Sequence, residues 1–157
     1  MFLFQKRTFN SRLFDQTTFY GQLFHDLKSC KTEVIIESPF ISASRVRHFY
    51  PVFKDLISRN IAIYVVTRDP SDYGSEFVRD QATNEILLCR ELGVQLILRK
   101  DHHHRKLAII DRKILWEGSL NILSYSNSQE IMRRIEDQET TTEIINFLKL
   151  QKLLFKG

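Results

Sequence analysis

Cysteine, glycine and proline are all scarce in this sequence, and each shortage removes a class of protein. Two cysteines, Cys30 and Cys89, cannot build a disulfide framework, and no CxxC pair is present to begin a zinc site. This usage fits a reducing compartment. Five glycines and three prolines in 157 residues exclude collagen-like and low-complexity chains. No run approaches the roughly 20 apolar residues of a membrane-spanning helix. The opening MFLFQKRTFN carries its apolar patch ahead of its basic residues, the reverse of a secretory signal. A soluble, cytoplasmic protein without stable membrane association is expected.

What remains is an ordinary globular composition, 43% hydrophobic and 27% charged, over the length of one domain spanning 1–157. The net charge is only +4, but it is concentrated. From Arg99 to Lys113 six cations (Arg99, Lys100, Arg105, Lys106, Arg112, Lys113) stand against Asp101 and Asp111. A local positive field of that kind suits a polyanionic partner.

Hydrophobic periodicity divides the chain. Residues 1–17, with Phe2, Phe4, Phe9 and Phe14, read as a strand or an arm laid over the core. Phe19, Leu23 and Leu27 form a helical stripe, and Glu33–Glu37 is a short buried strand closed by Ser38-Pro39. Residues 44–58 are helical in pattern, with a kink or break expected at Pro51. Ile61–Thr67 is the clearest strand, 68–74 a loop, and 81–92 a helix stopped by Gly93. Val94–Leu98, Leu107–Ile110 and Ile114–Trp116 are further strands, and 130–135 an edge strand. Thr140-x-x-Glu143 reads as a capping box opening a last helix over 140–157, apolar around much of its circumference. Strands alternating with helices and then following one another directly predict an α/β fold, a sandwich with a mixed central sheet.

The stretch that carries chemistry runs from His104 to Asn121. His104 and Lys106 are two apart at the mouth of a predicted strand, so their side chains share a face. Asp111 has the opposite parity and is expected to anchor a turn or an ion pair. Ser119 and Asn121, again two apart, follow Gly118 at the end of the next strand. Imidazole, ammonium, hydroxyl and amide around one point suit a phosphate: a charge clamp, neutral donors, and a group that attacks or carries protons.

These residues resemble a known pattern. H-x-K-x4-D-x6-G-S-x-N, matched by His104, Lys106, Asp111, Gly118, Ser119 and Asn121, is the HKD motif of the phospholipase D superfamily. Chance agreement at six fixed positions is on the order of one chain in a million. Glu130 corresponds best to the family's acidic residue that orients the histidine. The Glu-Ser-Pro-Phe segment at 37–40 and the run at 128–132 are similar to phospholipase D-like modules found alone or attached to bacterial DNA helicases. The resemblance covers residues 18–137. It implies a phospholipase D/nuclease-like α-β-α sandwich and cleavage of phosphodiesters with no metal or other cofactor. One histidine attacks phosphorus, and a second, from another copy of the motif, protonates the leaving oxygen. Only one copy is present here. Small single-motif members pair two chains across a two-fold axis, so the resemblance implies a homodimer in which His104 takes both roles.

The leading expectation is therefore a nuclease acting on DNA or RNA, with a helicase as a further candidate partner. A lipid phosphodiesterase and a non-catalytic nucleic-acid-binding module are the alternatives. Arg45, Arg68 and Arg105 are candidate substrate contacts; Arg45 and Arg68 follow predicted strand ends, where α/β sheets bind ligands, and surface solvation explains them equally well. His102 and His103 read as surface residues. Consecutive strand residues alternate faces, so His102, His103 and His104 do not readily share one metal ion. Trp116 and most phenylalanines read as core. Glu117 has no role assignable from the sequence.

Overall fold

The computed structural model describes residues 10–155; Phe2, Phe4 and Phe9 lie outside them. In chain order the elements are β1 (Asn10–Asp15), α1 (Phe19–Lys28), β2 (Glu33–Glu37), α2 (Ala43–Ser58), β3 (Ala62–Arg68), α3 (Glu76–Leu92), β4 (Gln95–Arg99), β5 (Leu107–Ile110), β6 (Ile114–Gly118), β7 (Ile131–Glu136), α4 (Gln138–Phe147) and α5 (Leu150–Leu154). The strands form one sheet in the order β1-β7-β6-β5-β2-β3-β4. β2, β3 and β4 are parallel, and every other pairing is antiparallel, so the sheet is mixed.

Apolar residues on both faces of the central strands require cover on both sides. Val34, Ile36, Ala108 and Ile110 pack with Phe19, Leu23, Phe49, Phe53 and Ile86 of α1, α2 and α3. Ile35, Leu107, Ile109 and Leu115 point the other way, against Ile145 and Leu150 of α4 and α5. The result is an α-β-α sandwich. A buried polar tie runs through the first layer: Asp26 on α1 accepts from Trp116 Nε1 at 2.9 Å and from Arg134 Nε at 2.7 Å. Trp116 is fully buried between the rings of Phe14 and Phe19.

Several boundaries differ from the sequence expectation. α2 runs unbroken through Pro51, because Val46, Phe49, Phe53 and Leu56 hold both of its halves on the core. α3 begins at Glu76, capped by Ser75, rather than at 81. β7 is not an edge strand: β1 pairs along its outer side, with Leu13 opposite Arg133. The last helix is capped by Asp137, whose carboxylate accepts from Thr140 N at 2.7 Å, so Thr140 lies inside the first turn rather than at its cap. Lys149, with φ of 52°, then divides the expected 140–157 helix into α4 and α5.

Asp111 shows how the turns are held. With Arg112 it forms the β5–β6 turn, both residues at φ of 53°. Its carboxylate accepts from the backbone N–H groups of Lys31 and Thr32, each at 2.8 Å, and from the Thr32 hydroxyl at 2.9 Å. Burial pulls this carboxyl upward, but the Thr32, Cys30 and Lys31 donors outweigh it and hold it below the ordinary carboxylate range. A depressed folded-state pKa contributes stability at neutral pH that is lost as pH falls below about 4. Asp111→Asn is expected to lower stability by about 2–3 kcal/mol and to lessen the acid-dependent part of its loss. Denaturant melts at pH 7 and pH 3 check both.

Candidate active site

The register brings one end of the sheet together. Glu37 of β2 pairs with Leu107 of β5, Leu107 with Glu117 of β6, and Gly118 with Met132 of β7. The segments before β5, after β6 and before β7 therefore emerge side by side, at the carboxyl ends of the parallel strands where α/β sheets bind ligands. His104 and Lys106 lie in the first segment, Ser119 and Asn121 in the second, and Glu130 closes the third. Asp111 lies at the opposite end of the sheet, at the far terminus of β5.

Gly118 is fixed by close approach. A Cβ there would strike the Ile131 carbonyl and the Met132 side chain. The Met132 side chain can turn aside, but the Ile131 carbonyl and Met132 Cα are backbone of the paired strand and cannot withdraw without breaking the ladder. Gly118→Ala is expected to destabilise by about 2–3 kcal/mol, readable as a lower melting temperature.

Lys106 Nζ stands 2.9 Å from Nδ1 and 3.2 Å from Nε2 of His104, and donates to the His104 carbonyl at 2.8 Å. Burial pushes this ammonium below the ordinary lysine range, with Glu130 working against the shift. Glu130 accepts from the Ser119 hydroxyl and, at 2.5 Å, from the Ser128 hydroxyl. Those two donors, with Lys106 adding to them against a small effect of burial, hold the Glu130 carboxyl below its usual range. Ser119 Oγ in turn accepts from Ile131 N at 3.1 Å, and Glu130 N donates to Gln16 Oε1 at 2.9 Å. Asn121 buries its Oδ1 without a hydrogen-bond partner. His104, Lys106, Gly118 and Ser119 line a cleft of about 780 Å³, together with Glu117 and an apolar wall that includes Leu13, Ile131 and Phe147.

A carboxylate outside the motif stands beside the His104 segment. Glu37 is fully buried at the end of β2, and Arg105 Nε and Nη2 reach it at 2.7 and 2.9 Å. His103 faces the same carboxylate, its Nε2 4.0 Å away. His103 is thus buried rather than a surface residue, and burial pushes its imidazole below the ordinary histidine range. His102 is exposed. Arg105, a candidate substrate contact from the sequence, has its guanidinium paired with Glu37 and also lines the cleft. Glu37 thus anchors Arg105, the residue after His104, while His103, the residue before it, is buried beside the same carboxylate.

The basic run is also less free than its composition implies. Arg99 pairs with Asp101, Lys100 with Asp69 at 3.8 Å, Arg105 with Glu37, and Arg112 with Glu33 at 2.5 Å. Arg45 and Arg68 lie elsewhere along this end of the sheet. Arg45 is stacked over Tyr20 at 3.8 Å, and Arg68 over Phe40 at 5.2 Å. Among the described residues no group of three or more histidine, cysteine, aspartate or glutamate side chains is arranged to hold a metal ion, and no helix is long and apolar enough to cross a membrane.

Comparison with known proteins gives the class of this fold and cleft. The model of the family described as cardiolipin synthase, PLD-like domain, matches residues 23–150. The chain belongs to this phospholipase D-like family, within a superfamily of phosphodiesterases. No curated protein matches it in sequence. Among solved structures it is similar to NucT from Helicobacter pylori, with 22% identity and a TM-score of 0.70 over 94% of this chain and 96% of that one. It is also similar to Nuc, a phospholipase D family member from Salmonella typhimurium, with 14% identity and a TM-score of 0.68 over 90% and 93% of the two chains. The phosphatidylserine synthase of Haemophilus influenzae Rd KW20 shares the fold at 10% identity and a TM-score of 0.68, over 96% of this chain but 40% of that one.

Proposed function

We propose that this protein is a metal-independent phosphodiesterase that hydrolyses DNA or RNA through a phosphohistidine on His104, in a homodimer with one composite site. The observation that carries this reading is the contact of Lys106 Nζ with both ring nitrogens of His104, beside the Ser119–Glu130 pair at the head of one cleft. A substrate phosphate draws the partly buried ammonium from the ring to its own oxygens. The freed imidazole nitrogen attacks phosphorus, forming a P–N bond as the P–O bond to the leaving group breaks. The imidazolium of a second copy's His104 gives its proton to the leaving oxygen. That imidazole then takes a proton from water, which attacks phosphorus and releases His104. Glu130 positions Ser119 and offsets the charge of Lys106.

The second histidine has no source within the chain. His102 and His103 are too close in sequence to stand opposite His104, while His25 and His48 are carried by α1 and α2 outside the motif. A two-fold axis supplies it with the fewest assumptions. Light scattering is expected to give twice the mass of the chain. Because one imidazole must be neutral while its partner is protonated, the rate is expected to be bell-shaped in pH. A flat profile from pH 5 to 9 would contradict the paired roles.

A second reading, a lipid phosphodiesterase, is favoured by the apolar wall that Leu13, Ile131 and Phe147 give the cleft. One experiment separates the two: purified protein in excess EDTA with labelled single-stranded DNA, duplex DNA, RNA and phosphatidylcholine vesicles. Hydrolysis of a nucleic acid undiminished by EDTA is expected. Hydrolysis of phosphatidylcholine alone would establish the second reading. Complete loss in EDTA, restored by magnesium, would rule out the metal-free mechanism.

A further inference from the structure

We propose that Arg45, Tyr125 and Arg68 form a flanking subsite for an unpaired nucleic-acid strand, with one base stacked on Tyr125 and adjoining phosphates held by the two arginines. The inference rests on the nucleic-acid reading above and names the form of substrate that the same site takes.

Two small clefts open beside the cleavage site. One, of about 190 Å³, holds Arg45 and reaches Glu130, the carboxylate that accepts from Ser119. The other, of about 470 Å³, holds Arg68 at the end of β3. Ser124 and Tyr125 line both, so the clefts form a path from Glu130 past Arg45 and Tyr125 to Arg68. Tyr125 is 62% exposed, which no packing role requires. Its backbone is nevertheless fixed. Tyr125 N donates to Ser42 Oγ at 2.8 Å, and Leu123 N donates to Ser38 Oγ at 3.0 Å. A large ring is thus presented to solvent from an anchored loop.

The arginines differ from those of the basic run. Among the described residues neither Arg45 nor Arg68 is in an ion pair, whereas Arg99, Arg105 and Arg112 are. Each has its Nε buried without a hydrogen-bond partner and its guanidinium over an aromatic face: Arg45 over Tyr20 and 5.9 Å from Tyr125, Arg68 over Phe40. Stacking holds a guanidinium in place while its edge keeps N–H groups for an anion. Cation, exposed ring and cation in succession match the phosphate, base and phosphate repeat of a strand. A single small anion would use one arginine and leave the ring without purpose. Stacking on Tyr125 requires a base whose face is free, and a duplex does not offer one.

The test uses the full-length His104→Ala protein, which binds without cutting, and anisotropy of labelled 3-mer and 12-mer single strands and a 12-mer duplex. Adding Tyr125→Ala is expected to weaken the single-stranded 12-mer about ten-fold and to leave the 3-mer unmoved, while Tyr125→Phe retains affinity. Arg68→Gln is expected to weaken the 12-mer and lower its salt slope by about 1, with Arg68→Lys retaining part of the affinity. Unchanged 12-mer affinity in Tyr125→Ala and Arg68→Gln, in a protein whose wild type cuts nucleic acid, would overturn the subsite alone. So would a duplex bound as tightly as the strand. A wild-type protein that neither binds nor cuts any nucleic acid would overturn both the subsite and the reading beneath it.

Discussion

His104→Ala is expected to slow phosphodiester hydrolysis by roughly a thousand-fold or more, while substrate affinity stays within a few-fold of wild type. The asymmetry follows from what the side chain does. His104 supplies the atom that bonds to phosphorus and, in the second copy, the proton for the leaving oxygen, so one substitution removes both groups. Its ring is exposed and the adjoining Arg105 is anchored on Glu37, so alanine is expected to leave the cleft's shape unchanged. Mixed dimers of wild-type and His104→Ala chains are expected to lack full turnover as well, since one role is always vacant. Steady-state rates with affinities measured in parallel check the claim. A variant with wild-type turnover would end it.

Lys106→Ala is the second large effect, a loss of about a hundred- to a thousand-fold in kcat/KM, expressed in both binding and turnover. Lys106 Nζ contacts His104 directly, and its environment is dry enough to push the ammonium below the ordinary lysine range. A phosphate entering the cleft meets this cation in a region where charge pairing is stronger than in water. Lys106→Arg would keep the charge but not the compact head that fits against the imidazole, so only partial recovery is expected.

The elements most legible in the sequence were those set by short-range pattern. The uninterrupted apolar runs Val34-Ile-Ile36 and Leu107-Ala-Ile-Ile110 marked buried strands, and the spacing from His104 to Asn121 marked the site's residues. Long-range pairing was not legible. Residues 130–135 read as an edge because nothing in their pattern reveals that β1, more than a hundred residues earlier, pairs along them. The basic run read as an open field because its neutralising carboxylates, Glu33, Glu37 and Asp69, stand 31 to 79 residues away. His103 looked solvated for the same reason: its environment is made by Glu37. Thr140 offered a plausible cap, but Asp137 three residues earlier caps more strongly, because its carboxylate takes both the N–H and the hydroxyl of Thr140. Gln16, which holds Glu130 from 114 residues away, carries no motif that spacing could reveal.

The proposed mechanism passes through a covalent phosphohistidine on His104, which rapid-quench labelling detects. Substrate carrying a radioactive scissile phosphate is mixed with excess wild-type protein, quenched in alkali within one turnover, and digested to peptides. Label is expected on the peptide containing His104, stable to alkali, lost in acid, and absent from the His104→Ala protein. Turnover of that substrate with no labelled peptide at any time, or with label on another residue, would contradict the mechanism.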